Sequence, residues 1–409
     1  MRKPRVLAMV LAGGEGIRLN PLTAERSKPA VPFGGRYRIV DFVLSSLVNS
    51  GIYSIYLLVQ YKSQSLIEHI NQAWVLSPII PEEFITVVPA QMDEGPEWYQ
   101  GTADAVYQNL RLIERHAPDL IAVFGADHIY RMNIRQMVQF HLDRDADISL
   151  SAIPVPLGDA CSFGVIATDL DGRITEFQEK PCQPASMSTD PDRAFCSMGN
   201  YIFKTEVLIE ALREAKQRGE SDFGKHVLPR LLKTHKLYAY NFAENRIPGI
   251  REYEEQAYWR DVGTLDAYYS ASQDVLGSEP RFNLFNPSWP ICSSPYQGPT
   301  ARILEGFISN SIIGSGTLIK GATIRDSIIR REVLLEEDVE ITDSVLMDST
   351  VTRRGARLNS VIVDRDNTIE PGDHIGFDHE LDLQRFHVTE SGITVVPHGS
   401  YDPKNARYF

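Results

Sequence analysis

The sequence predicts two units: an α/β domain with a Rossmann-like, mainly parallel sheet flanked by helices, and after it a left-handed parallel β-helix. Three observations carry this reading. From residue 5 to about 275, short β-rich apolar runs alternate with helix-like segments. Between about 276 and 300 prolines crowd the chain, and beyond 300 aliphatic residues recur every six positions.

In chain order the candidate strands are RVLAMVL, IYLLVQY, FITVVPA, LIAVFGA and ISLSAIPV. A helix is expected from Asp41, read as its N-cap, through the apolar positions Phe42, Leu44, Leu47 and Val48 to Gly51. Strands alternating with such helices imply a mainly parallel sheet, and this unit is assigned residues 1–275. Pro280, Pro287, Pro290, Pro295 and Pro299 prohibit long regular elements, so 276–300 is read as a linker. In the segment assigned to 301–409, with its C-terminal tail, Val333, Val339, Val345 and Val351 are six residues apart, as are Ile312, Leu318 and Ile324. That period marks a β-helix in which each side of a prism supplies one short strand; a β-sandwich would show a period of two. The ends of such a solenoid are exposed, which invites subunit packing there.

Composition narrows the function. The 409 residues, 43% hydrophobic, suffice for a large core and two or three domains. A formal charge of −13 argues against a broad nucleic-acid or anionic-membrane surface, so any anion site must be a local pocket. Cys161, Cys182, Cys196 and Cys292 form no C-x-x-C pair and read as reduced, cytosolic thiols. Arg2, Lys3 and Arg5 before an apolar run imitate a signal peptide, but that run is short and leads straight into Gly13-Gly14 without a cleavage pattern. No stretch reaches the roughly 20 apolar residues of a membrane span.

The stretch VLAMVLAGGEGIRLNPLTAERSKPAV is the first candidate site. It lacks the G-x-x-x-x-G-K-[ST] of a P-loop, and Leu19 stands where a dinucleotide fingerprint needs its third glycine. What remains is a strand ending in Gly13, Gly14 and Gly16, with Arg18 and Lys28 beyond. Glycines let backbone N–H groups approach an anion, and the two cations can meet the same phosphates, which describes a triphosphate cradle. A glycine turn with two solvated cations is the alternative. Asp127 follows LIAVFGA, at a strand's carboxyl end, where open α/β sheets keep their ligand crevice. Asp261 follows YWR, and the two carboxylates suit an Mg²⁺ shell shared with substrate, although either alone would more often be a turn or cap residue. His128 is read as structural support, because Mg²⁺ favours oxygen.

LAGGEGIRLNPLT and SKPAVPFGG resemble the signature of the sugar-1-phosphate nucleotidyltransferases, and PFGGRYRIVDFVLSSLVNSGI is similar to their glucose-1-phosphate adenylyltransferase branch. The likeness continues through QYKSQSLIEHI, WYQGTADAV, GADHIYRM, FQEKP, SMGNYIF and YWRDVGTLDAYY into the hexapeptide region, covering nearly the whole chain. It implies attack by the phosphate of glucose 1-phosphate on the α-phosphorus of ATP, giving ADP-glucose for glycogen synthesis in the cytoplasm. It also implies catalytic roles for Arg18, Lys28 and Asp127, and Mg²⁺ on Asp127 and Asp261. Gly13, Gly14 and Gln60 would hold the nucleotide, and Tyr99, Gly164, Glu179, Lys180 and Ser197 the sugar phosphate.

Members of the family resembled are often homotetramers controlled by phosphorylated metabolites bound between the domains. Arg36, Arg38, Arg353, Arg354 and Arg357 are the candidates here, against the alternative of a solvated charged face. Some bacterial members carry an activator-contacting lysine three positions before the lysine of the K-P pair; Glu25 stands there in this chain, so a different effector response is expected. Three rival readings remain. One is a nucleotidyltransferase of other base or sugar specificity, and another is a non-catalytic regulatory chain of the same plan. The third is an acyltransferase, which would need a histidine base that residues 307–372 do not contain.

Overall fold

The computed structural model describes residues 3–76, 80, 82–91, 97–187 and 189–400, so the tail expected at 401–409 lies outside the described residues. The central sheet uses strands β1 (Val6–Ala12), β2 (Ser54–Val59), β3 (Phe84–Pro89) and β4 (Leu120–Gly125). β1 lies between β2 and β4, β3 flanks β2, and all these pairings are parallel. The five expected strand runs all form strands, the fifth being Ile148–Pro156.

Continuous apolar runs arise because both faces of the sheet are covered. Along β1, Leu7 and Met9 enter one core with Ala103, Val106, Leu208 and Leu212 of helices Thr102–Tyr107 and Thr205–Arg218. Ala8, Val10 and Ala12 enter the other, with Val43 and Leu47 of helix Val40–Asn49 and Met137 of helix Ile134–Asp143. Asp41 does not cap its helix. It sits inside the first turn, fully buried, and accepts hydrogen bonds from His69 Nε2 (2.7 Å), Trp74 Nε1 (2.8 Å), the Arg38 N–H (2.9 Å) and Ser293 Oγ (2.6 Å). Four donors meet the carboxylate and offset its desolvation, which is what allows it inside.

The sheet continues antiparallel on the far side of β4. A hairpin of β5 (Gly164–Thr168) and β6 (Ile174–Glu179) pairs through β5 with β7 (Arg193–Lys204), and β7 also pairs with β4. The register of β7 shifts between Ser197 and Tyr201, a bulge around Gly199 at φ +71°.

The proline-rich 276–300 contains no helix or strand among the described residues, yet it is not loose. Phe282 stacks on Tyr258 at 4.6 Å, Trp289 and Ile291 are buried, and the Cys292 N–H donates to Ser45 Oγ at 2.8 Å. The segment is therefore a strap across the first domain.

The C-terminal unit is a three-sided parallel coil, consistent with the left-handed β-helix expected. Ile312 pairs with Ile328, Ile328 with Val345 and Val345 with Ile362, so successive coils advance by 16 or 17 residues rather than three sixes. Val333, Val339, Val345 and Val351 are all buried, but Val351 stacks on Leu334, because each coil sheds a residue or two at its corners. Corners repeat in left-handed backbone: Asn310, Asp326, Asp343 and Ser360 form one column, with φ of +44°, +50°, +48° and +56°. Asn and Asp tolerate that region better than other non-glycine residues.

Arg330, 1% exposed, joins the two units. Its Nη1 donates to the carbonyls of Phe33 (3.1 Å), Gly34 (2.7 Å) and Tyr37 (3.1 Å), and its Nε donates to Asp348 at 2.9 Å. Burial alone would raise the Asp348 carboxyl, but Arg330 and Arg331 hold it down to about 2. Beside it, Arg26 Nη2 donates to both oxygens of Asp364, at 2.7 and 2.8 Å. Removing one partner of a buried pair strands the other. Arg330→Met is therefore expected to cost about 3–5 kcal/mol of stability, read as a lowered urea midpoint in the full chain.

Candidate active site

Three parallel neighbours place three loops at one edge. β1 ends at Ala12 and runs into Gly13-Gly14, β2 ends at Val59 before Gln60, and β4 ends at Gly125 before Asp127. Because β2, β1 and β4 are adjacent and parallel, all three loops open into one cavity of about 690 Å³. A short antiparallel pair delivers the fourth component: Trp259–Asp261 lies against His128–Tyr130 with Asp261 opposite His128. Residues more than 130 positions apart thus become neighbours.

Lys28, only 7% exposed, is the hub. Its Nζ donates to Asp127 Oδ2 at 3.1 Å and to Asp261 Oδ1 at 2.7 Å. Burial would lower the Lys28 ammonium, yet the two carboxylates raise it above an ordinary lysine. Burial would likewise raise the Asp127 carboxyl, but His128 and Lys28 hold it well below the usual range. The Asp127 side chain nevertheless keeps 41% of its surface open. Ligand atoms of Asp127, Asp261 and His128 lie within 4.8 Å of one another, and the buried His128 Nδ1 has no hydrogen-bond partner. Two clustered carboxylates, of which Asp127 lines the cavity, are an oxygen donor set that fits a hard divalent cation.

Arg18 lies on the turn Ile17–Leu19, exposed and lining the cavity. A Cβ added to Gly14 would meet no atom within 4 Å, so a side chain there would only fill space that the bare backbone leaves to a ligand. Gln60 Nε2 donates weakly to the Tyr99 carbonyl at 3.4 Å, while its Oε1 is buried without a partner. A buried acceptor left unpaired at a cavity wall awaits a donor.

Glu179 and Tyr99 also line the cavity. Burial first, and the Asp222 carboxylate second, push the Glu179 carboxyl above its ordinary value. Gly164 is glycine because a Cβ would stand 2.7 Å from Phe177 Cζ and 3.2 Å from Glu179 Oε2. Ser197 is buried beside the β7 bulge, its Oγ accepting from the Gly199 N–H at 3.3 Å. Lys180 sits on an exposed turn with φ +49°, next to this wall rather than in it. Sequence reasoning missed Gly199, Tyr201, Asp222, Gly224 and Gly263, which also line the cavity. SMGNYIF and YWRDVGTL contain three of them, whereas the turn holding Asp222 and Gly224 carries no recognisable signal.

The regulatory candidates do not converge. Arg38 lines a second cavity of about 120 Å³ between the two units, with Arg26, Arg365, Ser65, Asp348 and Asp366. Arg36 instead donates to the Ser294 carbonyl at 3.2 Å, and Arg353, Arg354 and Arg357 pair with Glu336, Asp338 and Glu340 of the preceding coil. Glu25 Oε2 lies 3.0 Å from His398 Nδ1, whose Nε2 lies 3.2 Å from Asp366, so the carboxylate is tied to the β-helix.

Residues 7–278 match the Nucleotidyl transferase family model, and 300–396 the GlmU-like, C-terminal hexapeptide model. The chain is 56% identical over 395 residues to the glucose-1-phosphate adenylyltransferase of Thermodesulfovibrio yellowstonii, covering 96% of each. It is 50% identical to that of Thermus thermophilus, covering 98% of this chain and 99% of the relative. The chain belongs to the glucose-1-phosphate adenylyltransferase family. A more distant relative, glucose-1-phosphate adenylyltransferase 1 of Vibrio vulnificus, still matches 97% of this chain at 43% identity. Within this family the chain is a nucleotidyltransferase, and no helix among the described residues is long and apolar enough to cross a membrane.

Lys28 holds two carboxylates that would otherwise repel each other. Lys28→Met is therefore expected to lower the urea midpoint at pH 7. Asp127 stabilises the fold above its unfolded pKa of about 4 and loses that contribution as it protonates, so the deficit should shrink at pH 3. Unfolding curves of both proteins at the two pH values check the sign.

Proposed function

We propose that this chain transfers an adenylyl group from ATP to glucose 1-phosphate, giving ADP-glucose, the glucosyl donor for glycogen, and diphosphate. The single observation that carries the reading is the Lys28–Asp127–Asp261 cluster, whose Lys28 and Asp127 line one cavity together with Arg18 and Glu179.

The chemistry explains the side chains. A sugar phosphate is already anionic near neutral pH, so the nucleophile needs no general base, and the task is to align two repelling polyanions. Gly13 and Gly14 offer backbone N–H groups to the triphosphate, and Arg18 and Lys28 bring positive charge to it. Asp127 and Asp261 would hold Mg²⁺, which when bound neutralises charge developing on the phosphates. Gln60 meets the adenine edge with its free acceptor. Glu179 and Tyr99, with Gly164 and Ser197 behind them, orient the sugar, and Lys180 takes its phosphate.

The 120 Å³ cavity between the units is the effector site in this reading, with Arg38 rather than Arg353 or Arg354 as its anchor for a phosphorylated metabolite. Assembly as a homotetramer in the cytoplasm fits the exposed Ile303, Leu304 and Phe307 on the open first coil.

An assay with ATP, glucose 1-phosphate and Mg²⁺, following diphosphate release, should give turnover that chelation abolishes. Asp127→Asn should lose about 3 kcal/mol of transition-state stabilisation, about two orders of magnitude in kcat, with the fold retained. Lys180→Ala should chiefly raise KM for the sugar phosphate. Near-normal turnover in Asp127→Asn removes that carboxylate from the site. Across a panel of phosphorylated metabolites, Arg38→Ala is expected to abolish whatever response the unaltered chain shows, leaving basal turnover measurable.

A further inference from the structure

Two exposed cysteines meet beside the Lys180 turn, and the proposed reaction uses neither. In the β5–β6 hairpin Glu179 pairs with Gly164, and the ladder runs one step further where the Lys180 N–H donates to the Phe163 carbonyl at 3.1 Å. There the pairing ends, because Leu157–Ser162 turns as a 3-10 helix, but Cys161 near the end of that turn still meets the segment after Lys180: its Sγ lies 3.8 Å from the Cys182 carbonyl oxygen. Both cysteines are exposed.

The other two cysteines are placed differently. Cys196 is fully buried on β7 among Ala160, Val165 and Ala194, and burial pushes its thiol up to about 12, so it stays protonated. Cys292 lies in the strap, on another part of the surface. Cys161 also raises the Cys196 thiol, but only Cys161 and Cys182 are both exposed, and they bracket Phe163, Gly164, Glu179 and Lys180. Lys180 lies outside the cavity lining in this structure, so capture of a phosphate requires its turn to move inward. A bond across the base of that turn opposes the movement.

We propose that Cys161 and Cys182 form a reversible disulfide under attack by a hydroperoxide, and that this bond weakens binding of the sugar phosphate by restraining Lys180. One thiolate attacks the peroxide, breaking its O–O bond; an alcohol or water leaves, and the thiol becomes a sulfenic acid. The second thiolate attacks that sulfur, the S–S bond forms, and water leaves. In all, two thiols lose two electrons and two protons, and the hydroperoxide gains them. A dithiol reductant reverses the change. The effect on substrate rests on the reading of Lys180 given above, whereas formation of the bond does not.

The test treats the reduced full-length chain with hydrogen peroxide, blocks the remaining thiols, and combines peptide mapping by mass spectrometry with kinetics. The expected result is a peptide linked through Cys161 and Cys182, a KM for glucose 1-phosphate raised several-fold, and recovery with dithiothreitol. Cys161→Ser and Cys182→Ser should each lose the response, while Cys292→Ser keeps it. Absence of the linked peptide at every peroxide dose overturns the proposal, as does a linked peptide with unchanged KM. Turnover of the reduced chain, measured first, tests the substrate assignment separately.

Discussion

The buried ammonium of Lys28 is the interaction on which the rest of the site depends. Asp127 and Asp261 arrive from different parts of the chain, one beyond β4 and one from a short strand paired to residues 128–130. Brought together at hydrogen-bonding distance from one group, two carboxylates repel and resist ionisation unless a cation lies between them. Lys28 supplies that cation at 2.7 and 3.1 Å and so holds the two side chains together, with Asp127 lining the cavity. The same ammonium lies within reach of any phosphate the carboxylates help to hold. A structural constraint and a chemical one are met by one side chain, which is why the K-P segment must be rigid.

The strands were legible because each is an uninterrupted apolar run, and such runs follow from a sheet covered on both faces. Asp127 was legible for the same reason, since a polar residue immediately beyond a buried parallel strand lies at the ligand edge. The coil was legible from its period but not its pitch. Val333 and Val351 are three sixes apart, yet corners that turn in left-handed backbone close each coil in 16 or 17 residues. Asp41 was misread because its position before an apolar stretch imitates an N-cap. Its four donors include Ser293, 252 residues away, and no local pattern announces such a partner. Asp222 and Gly224 escaped for the same reason: the wall they complete is assembled by a hairpin distant in sequence.

Contacts between the two units run through backbone as well as charge. Arg330 binds three carbonyls of residues 33–37, a segment that follows directly on the Lys28 turn. Its other partner, Asp348, lines the 120 Å³ cavity, and so do Arg26 and Arg38, which flank Lys28 in sequence. An anion entering that cavity competes with Asp348 for the surrounding cations. Asp348 is bonded to Arg330, and Arg330 to the backbone that follows the Lys28 turn.

Glu25 sharpens the point. Its carboxylate meets His398 at 3.0 Å, and His398 meets Asp366 on the rim of the same cavity. Where a lysine at this position would offer a mobile charge to an effector, the carboxylate here is already engaged across the domain boundary. The attraction available to an anionic effector then comes from Arg38 and Arg365, with Arg26 committed to Asp364. If the proposed effector reading holds, a cavity this small with few uncommitted cations favours a compact anion over a large polyphosphate.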